Sequence, residues 1–144
     1  MPSLSPADFA QLASGFARLA LIWVGQLLVY PTFLRIAPAD FPHHHRRHAT
    51  LISWVVIPLM LTELASTLWL LAQPGALGRS WQVTLSGLAL VAWLSTFLIQ
   101  VPLHHRLQAG FDRATLRRLV FTNWIRTAAW SGKALLLGLA YLGG

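Results

Sequence analysis

Four long apolar stretches alternate with short polar ones along the chain, at about residues 14–36, 49–72, 81–103 and 119–142. Each reaches the roughly 20 residues that a helix needs to cross a bilayer. Strands are ruled out in that setting, because an open strand edge in lipid leaves backbone groups unpaired. Polar residues recur within the stretches at helical spacing: Trp23, Gln26 and Tyr30 in the first, and His48, Glu63 and Thr67 beside Ile52 and Val56 in the second. Thr96, Gln100 and His104 follow in the third, and Asn123, Arg126, Trp130 and Lys133 in the fourth. Positions three and four apart share a helix face, and polar groups in hydrocarbon are costly, so four stripes predict one shared polar interior. The expected fold is all-α, a four-helix integral membrane bundle forming a single domain.

The connections carry their own signals. Asp40 followed by Pro42 reads as an N-cap and first turn, so the second helix starts ahead of its apolar stretch and carries His43 to His48. Gln73-Pro74-Gly75 reads as a turn, Gly110 as a helix end, and Asp112 as the cap of a fourth helix beginning with the basic turn 113–118. Gln26-x-x-Val29-Tyr30-Pro31 in the first stretch echoes Gln100-Val101-Pro102 in the third. A duplicated hairpin and chance placement of Pro near a helix end both account for that echo.

Composition sharpens the class. Of 144 residues, 56% are hydrophobic and 10% charged, against about 25% charged in a soluble domain. Mean hydropathy is +0.57. The net charge of +7 does not point to nucleic acid, because the basic residues punctuate apolar runs and form no polar face. Membrane lipids are the better partner, through the anionic headgroups of the inner leaflet. There is no Cys, which removes disulfides, thiolate metal sites and Cys nucleophiles. Met1 to Asp8 lack Lys and Arg, so the first stretch reads as a retained span and not as a signal peptide. Arg35, Arg46, Arg47, Arg106, Arg113, Arg117 and Arg118 lie in the first and third connections, against Arg79 and Arg18 on the other side. The positive-inside rule then puts both termini outside and those two connections in the cytoplasm, in a multi-pass protein of the cell inner membrane.

Candidate chemistry falls into two layers. Counting about 1.5 Å per residue brings Arg18, Glu63 and Lys133 to a similar depth in the outer half. There they form a structural ion pair that sets helix register, or Glu63 serves a proton relay or as a carboxylate ligand, or the two cations snorkel to the headgroups. Gln26, Tyr30, Gln100, His104, Asn123 and Arg126 gather nearer the cytoplasm. His44 and His48, spaced i, i+4, present two imidazoles on one face, and His104 can supply a third nitrogen for a transition metal or haem. Contact of interfacial His with lipid phosphate explains the same residues. Arg126 has no acidic neighbour in sequence, so it either joins an amide network with Gln26, Gln100 and Asn123 or grips a ligand oxygen and stabilises an oxyanion. Tyr30 is a hydrogen-bond donor there or a member of the aromatic belt, the role that also suits Trp54, Trp69, Trp81 and Trp124. Tyr30, Asn123 and Arg126 are thus the catalytic candidates, with Gln26 and Gln100 as cofactor-binding ones. No phosphate-binding glycine loop, nucleophile elbow or paired carboxylate is present. Gly132, Gly138, Gly143 and Gly144 would permit close contact between copies in a homo-oligomer.

Gln26…Tyr30-Pro31, His44-x-x-x-His48, Pro58…Glu63, Gln100-Val101-Pro102-Leu103-His104 and Asn123-Trp124-Ile125-Arg126-Thr127…Trp130 together resemble small four-helix bacterial membrane proteins of the anthrone-oxygenase-like group. That resemblance implies an oxidoreductase or oxygenase acting on a lipophilic aromatic or quinone-like small molecule, with Asn123 and Arg126 near the ligand. The alternative is a non-catalytic membrane module for lipid, haem or metal binding, for assembly or for small-solute permeation.

Overall fold

The computed structural model describes residues 4–73 and 77–142. The turn expected at Pro74-Gly75 and the glycines 143 and 144 lie outside the described residues. Four helices make up the fold: α1 (Pro6–Phe33), α2 (Phe41–Ala72), α3 (Arg79–Ala109) and α4 (Arg113–Leu142). No strand occurs among the described residues. The helices form a ring in which α1 packs on α2 and α4, and α3 packs on α4; the seam between α2 and α3 is the thinnest.

Local chemistry explains the ends. Ser5 caps α1 in a reciprocal box with Asp8: the Asp8 N–H donates to Ser5 Oγ at 3.2 Å, and the Ser5 N–H to Asp8 Oδ2 at 3.0 Å. Pro6 follows, at a position where its missing N–H costs nothing. Asp40 occupies the N-cap position of α2, yet its side chain makes no capping hydrogen bond. Asp112 does cap α4, accepting from the N–H groups of Ala114 and Thr115 at 3.2 and 3.0 Å and from the Thr115 hydroxyl. Those donors, the Thr115 hydroxyl foremost, hold its carboxyl below the ordinary carboxylate range.

Two of the helices contain one wide turn each. In α1 residues Gly25–Val29 are π-helical, and in α3 residues Thr96–Gln100 are. The Tyr30 N–H reaches Gly25 O, and the Val101 N–H reaches Thr96 O. Proline follows at once in both, as Pro31 and Pro102. Its ring has no N–H to give and crowds the carbonyl four residues back, so the ladder slips by one residue just ahead of it. The echo between the two segments therefore extends to backbone geometry. It also resolves a spacing problem. Residues four apart drift by about 40° per step on a 3.6-residue helix, so Ile22, Gln26 and Tyr30 would not stay on one face. Neither would Ala92, Thr96, Gln100 and His104. A single wide turn takes the drift back, and all of these but the half-buried His104 are buried.

The partition of side chains is inverted relative to a soluble bundle. Asp8, Gln11, Arg18, Gln26, Glu63, Gln82, Gln100, Asn123, Arg126 and Lys133 are buried, while Phe9, Leu28, Trp54, Trp69, Leu98 and Phe121 are exposed. By length and hydropathy α1, α2 and α3 can each cross a membrane. α4 is less apolar on average because Asn123, Arg126 and Lys133 lie on it, and these are the residues it buries. Gly15 allows α1 to approach α4 closely, since a Cβ there would stand 2.8 Å from Leu137 Cδ1. Gly132 and Gly138 look onto Leu88 and Phe16 of the same chain, so the close approach they permit is made within the bundle.

Candidate functional site

The polar interior has three levels. At the end where the termini meet, Tyr141 donates its hydroxyl hydrogen to Asp8, with Gln11 and Gln82 buried in the same half of the bundle. Sequence reasoning missed this level, although Gln11 and Asp8 continue the α1 stripe about two and three turns ahead of Arg18.

Midway, Lys133 Nζ donates to Glu63 Oε1 at 2.6 Å, and Arg18 Nε lies 3.5 Å from Glu63 Oε2. The Arg18 guanidinium stands 3.7 Å over the Trp130 ring, and that of Arg126 stands 5.0 Å from the same ring. Trp130, 2% exposed, thus offers its π system to two cations. The Tyr30 hydroxyl lies against Arg126.

The third level is near the first and third connections. Asn123 Nδ2 donates to Gln26 Oε1 at 2.7 Å, and Gln26 Nε2 to Val120 O at 3.3 Å. Gln100 Nε2 donates to Thr122 Oγ1 at 2.9 Å. These bonds tie α1 and α3 to α4. Asn123→Ala is expected to lower stability by about 1–2 kcal/mol through the lost interhelical bond, read as a shift in the thermal midpoint in detergent. An unchanged midpoint would show that the amide pair contributes nothing.

The histidines are arranged differently from the i, i+4 expectation. His45, fully buried, places Nε2 3.0 Å from His104 Nδ1, and the two rings stack with centroids 5.0 Å apart. Phe41 stacks on the other side of His45 at 5.2 Å, while Phe33 meets His45 and His48 edge-on at 5.3 and 5.0 Å. His44 is exposed, with its ring toward His43. The inward face of α2 is set by Phe41, and spacing of four then three from Phe41 selects His45 and His48. His44 stands one residue, about 100° of rotation, off that face. The set His44, His48 and His104 is therefore not assembled, and among the described residues no group of three metal-ligating side chains is placed to hold an ion. The apolar anchor at Phe41 was the available signal.

A cavity of about 300 Å³ is lined by residues of all four helices, mostly of α1, α2 and α3. Both wide turns reach it, through Gly25 and Val29 on one side and Thr96 and Gln100 on the other. Ile22, Ile52, Val56 and Val101 make its walls apolar, and Arg18, Tyr30, His48, Gln100, His104 and Arg126 bring polar groups to it. Asn123 and Gln26 are not among its lining residues. Asn123 Nδ2 donates to Gln26 and Gln26 Nε2 to Val120 O, so this pair ties α1 to α4 outside the cavity lining. Glu63 and Lys133 also lie outside the cavity. No known protein family, curated protein or solved structure matches the chain.

Proposed function

We propose that the chain is a multi-pass inner-membrane protein whose cavity receives a lipophilic aromatic molecule bearing an ionisable oxygen, and that it oxidises this molecule with O₂. In this reading all four helices span the bilayer, with the basic connections in the cytoplasm and both termini outside. The apolar outer face of α4, formed by Phe121, Trp124, Ile125, Leu135 and Leu139, supports a fourth span. The observation that carries the functional reading is the cavity itself: a largely apolar cavity where a few convergent polar groups meet.

The chemistry follows the anthrone-oxygenase-like resemblance. A ring CH₂ beside a conjugated carbonyl loses one proton and leaves an enolate, whose oxygen Arg126 and Tyr30 stabilise. His104, held at Nδ1 by His45, stands at the wall as proton acceptor. The enolate carbon adds O₂, the peroxide takes up the proton, and loss of water leaves a carbonyl. In sum CH₂ and O₂ become C=O and H₂O, with the ring carbon oxidised and dioxygen reduced.

Protein in lipid nanodiscs given anthrone under air is expected to form one anthraquinone per O₂ consumed, followed by absorbance and an oxygen electrode. Arg126→Ala should lower kcat/KM by about 10²–10³-fold, the range for loss of one oxyanion donor. Binding of anthrone without turnover would favour a non-catalytic lipophile-binding module. Absence of both binding and turnover would sink the proposal.

A further inference from the structure

The interior carries more positive charge than the known contacts balance. Arg18, Arg126 and Lys133 are all buried, at 3%, 8% and 1% exposure, and the carboxylate among them is Glu63. Lys133 takes one of its oxygens at 2.6 Å, and Arg18 shares the other at 3.5 Å. Arg126 reaches neither. The remaining carboxylates are far away: Asp8 is ten residues, about 15 Å of helix rise, from Arg18, and Asp40 and Asp112 lie exposed at the opposite connections. At this level three cations face one anion, which leaves two positive charges without a nearby carboxylate. Trp130 softens the cost through its ring but carries no charge. Buried charge without a counter-ion is strongly unfavourable in a low dielectric.

Both arginines that are not fully matched, Arg18 and Arg126, line the cavity, whereas the matched Lys133 does not. Apart from the 3.5 Å approach of Arg18 Nε to Glu63, Nε and Nη1 of Arg18 and Nε of Arg126 have no hydrogen-bond partner among the described residues. The uncompensated charge is therefore brought to a cavity that Ile22, Ile52, Val56 and Val101 otherwise line with apolar side chains. We infer that the cavity is a site for a compact amphiphilic anion, whose charged oxygens lie toward Arg126 and Arg18 and whose apolar body fills the cleft and faces the lipid seam. The inference rests on the proposed lipophile-binding role of the cavity and adds that the bound species is ionised. An acidic aromatic and the headgroup of an anionic lipid share this chemistry.

The test compares two isosteres, 9-anthracenecarboxylate and its primary amide, binding to the intact protein in phosphatidylcholine nanodiscs, with protein-free nanodiscs as blank and fluorescence as readout. The carboxylate should bind at least about tenfold more tightly than the amide, as one uncompensated charge at a partly screened site gives. Arg126→Gln should abolish most of that preference and Arg126→Lys should keep it. Repeating the titration with phosphatidylglycerol in the disc separates the sources: weakened carboxylate binding assigns the site to a lipid headgroup, and unchanged binding to a small acid. Equal affinity of acid and amide for the wild type would overturn the anion assignment while leaving the lipophile-binding reading standing. Binding of neither would overturn both. The wild-type comparison needs no variant, so a substitution that fails to fold does not blunt it.

Discussion

Glu63→Ala is expected to lower stability by about 3–5 kcal/mol, the cost of removing one partner from a buried ion pair, and to leave little folded protein after detergent extraction. The size follows from what remains behind. Glu63 is fully buried and is bound by Lys133 and approached by Arg18. Without it Lys133, 1% exposed, loses its anion with no water within reach. Lys133→Ala removes one cation and leaves Glu63 with Arg18, so its cost should be smaller. Glu63→Ala/Lys133→Ala should recover part of the loss of Glu63→Ala alone. Unfolding midpoints of the wild type, the two single variants and the double variant, measured in one detergent, close the cycle. Additive losses would mean that the pair does not interact.

Phe41→Ala is expected to cost a similar 3–5 kcal/mol, in the range for deleting a buried phenyl group. Phe41 is fully buried where the connections converge, stacked on His45 and touching Phe33 at 6.0 Å and Phe111 at 5.1 Å. It belongs to a cluster with Tyr30, Leu103, Leu107, Leu116 and Leu119 that joins the ends of all four helices. Its loss has a local consequence as well. His45 keeps its place beside His104 partly through the Phe41 stack, so the variant should also lose ligand affinity at the cavity wall. Phe41→Leu restores apolar volume without the ring, and should recover most of the stability but not the affinity. Equal recovery of both would show that the stack does not position the histidines.

The helical architecture was readable in residue order because the two rules that lipid would impose both leave a mark on the sequence. A span needs about 20 apolar residues, and its polar exceptions turn inward at helical spacing. Glu63 is the lone carboxylate in any apolar stretch, so its candidate partners form a short list, and Lys133 and Arg18 both meet it. The echo of Gln26…Pro31 with Gln100-Val101-Pro102 was visible as letters. That each proline is preceded by a wide turn at the same offset was not, since the slip depends on the carbonyl it must avoid.

Helix phase was the main obstacle. His44 and His48 share a face, but which face of α2 points inward is set by the aromatic cluster at Phe41, and that selects His45. Asn123 and Arg126 are three residues apart and share a stripe, yet Asn123 is consumed by Gln26 and only Arg126 reaches the cavity. Such outcomes turn on which neighbour stands opposite, and residue order carries that information weakly.

By itself, then, the order of apolar and polar residues determined that the chain folds as helices with a polar interior, because the backbone and the buried charges have no other acceptable arrangement in an apolar surround. The tertiary structure decided which polar groups meet and where space is left. The thin seam between α2 and α3, the cavity that both wide turns line and the surplus of positive charge beside it arise only when four helices close into a ring, since each is a relation between helices and not a property of any one of them.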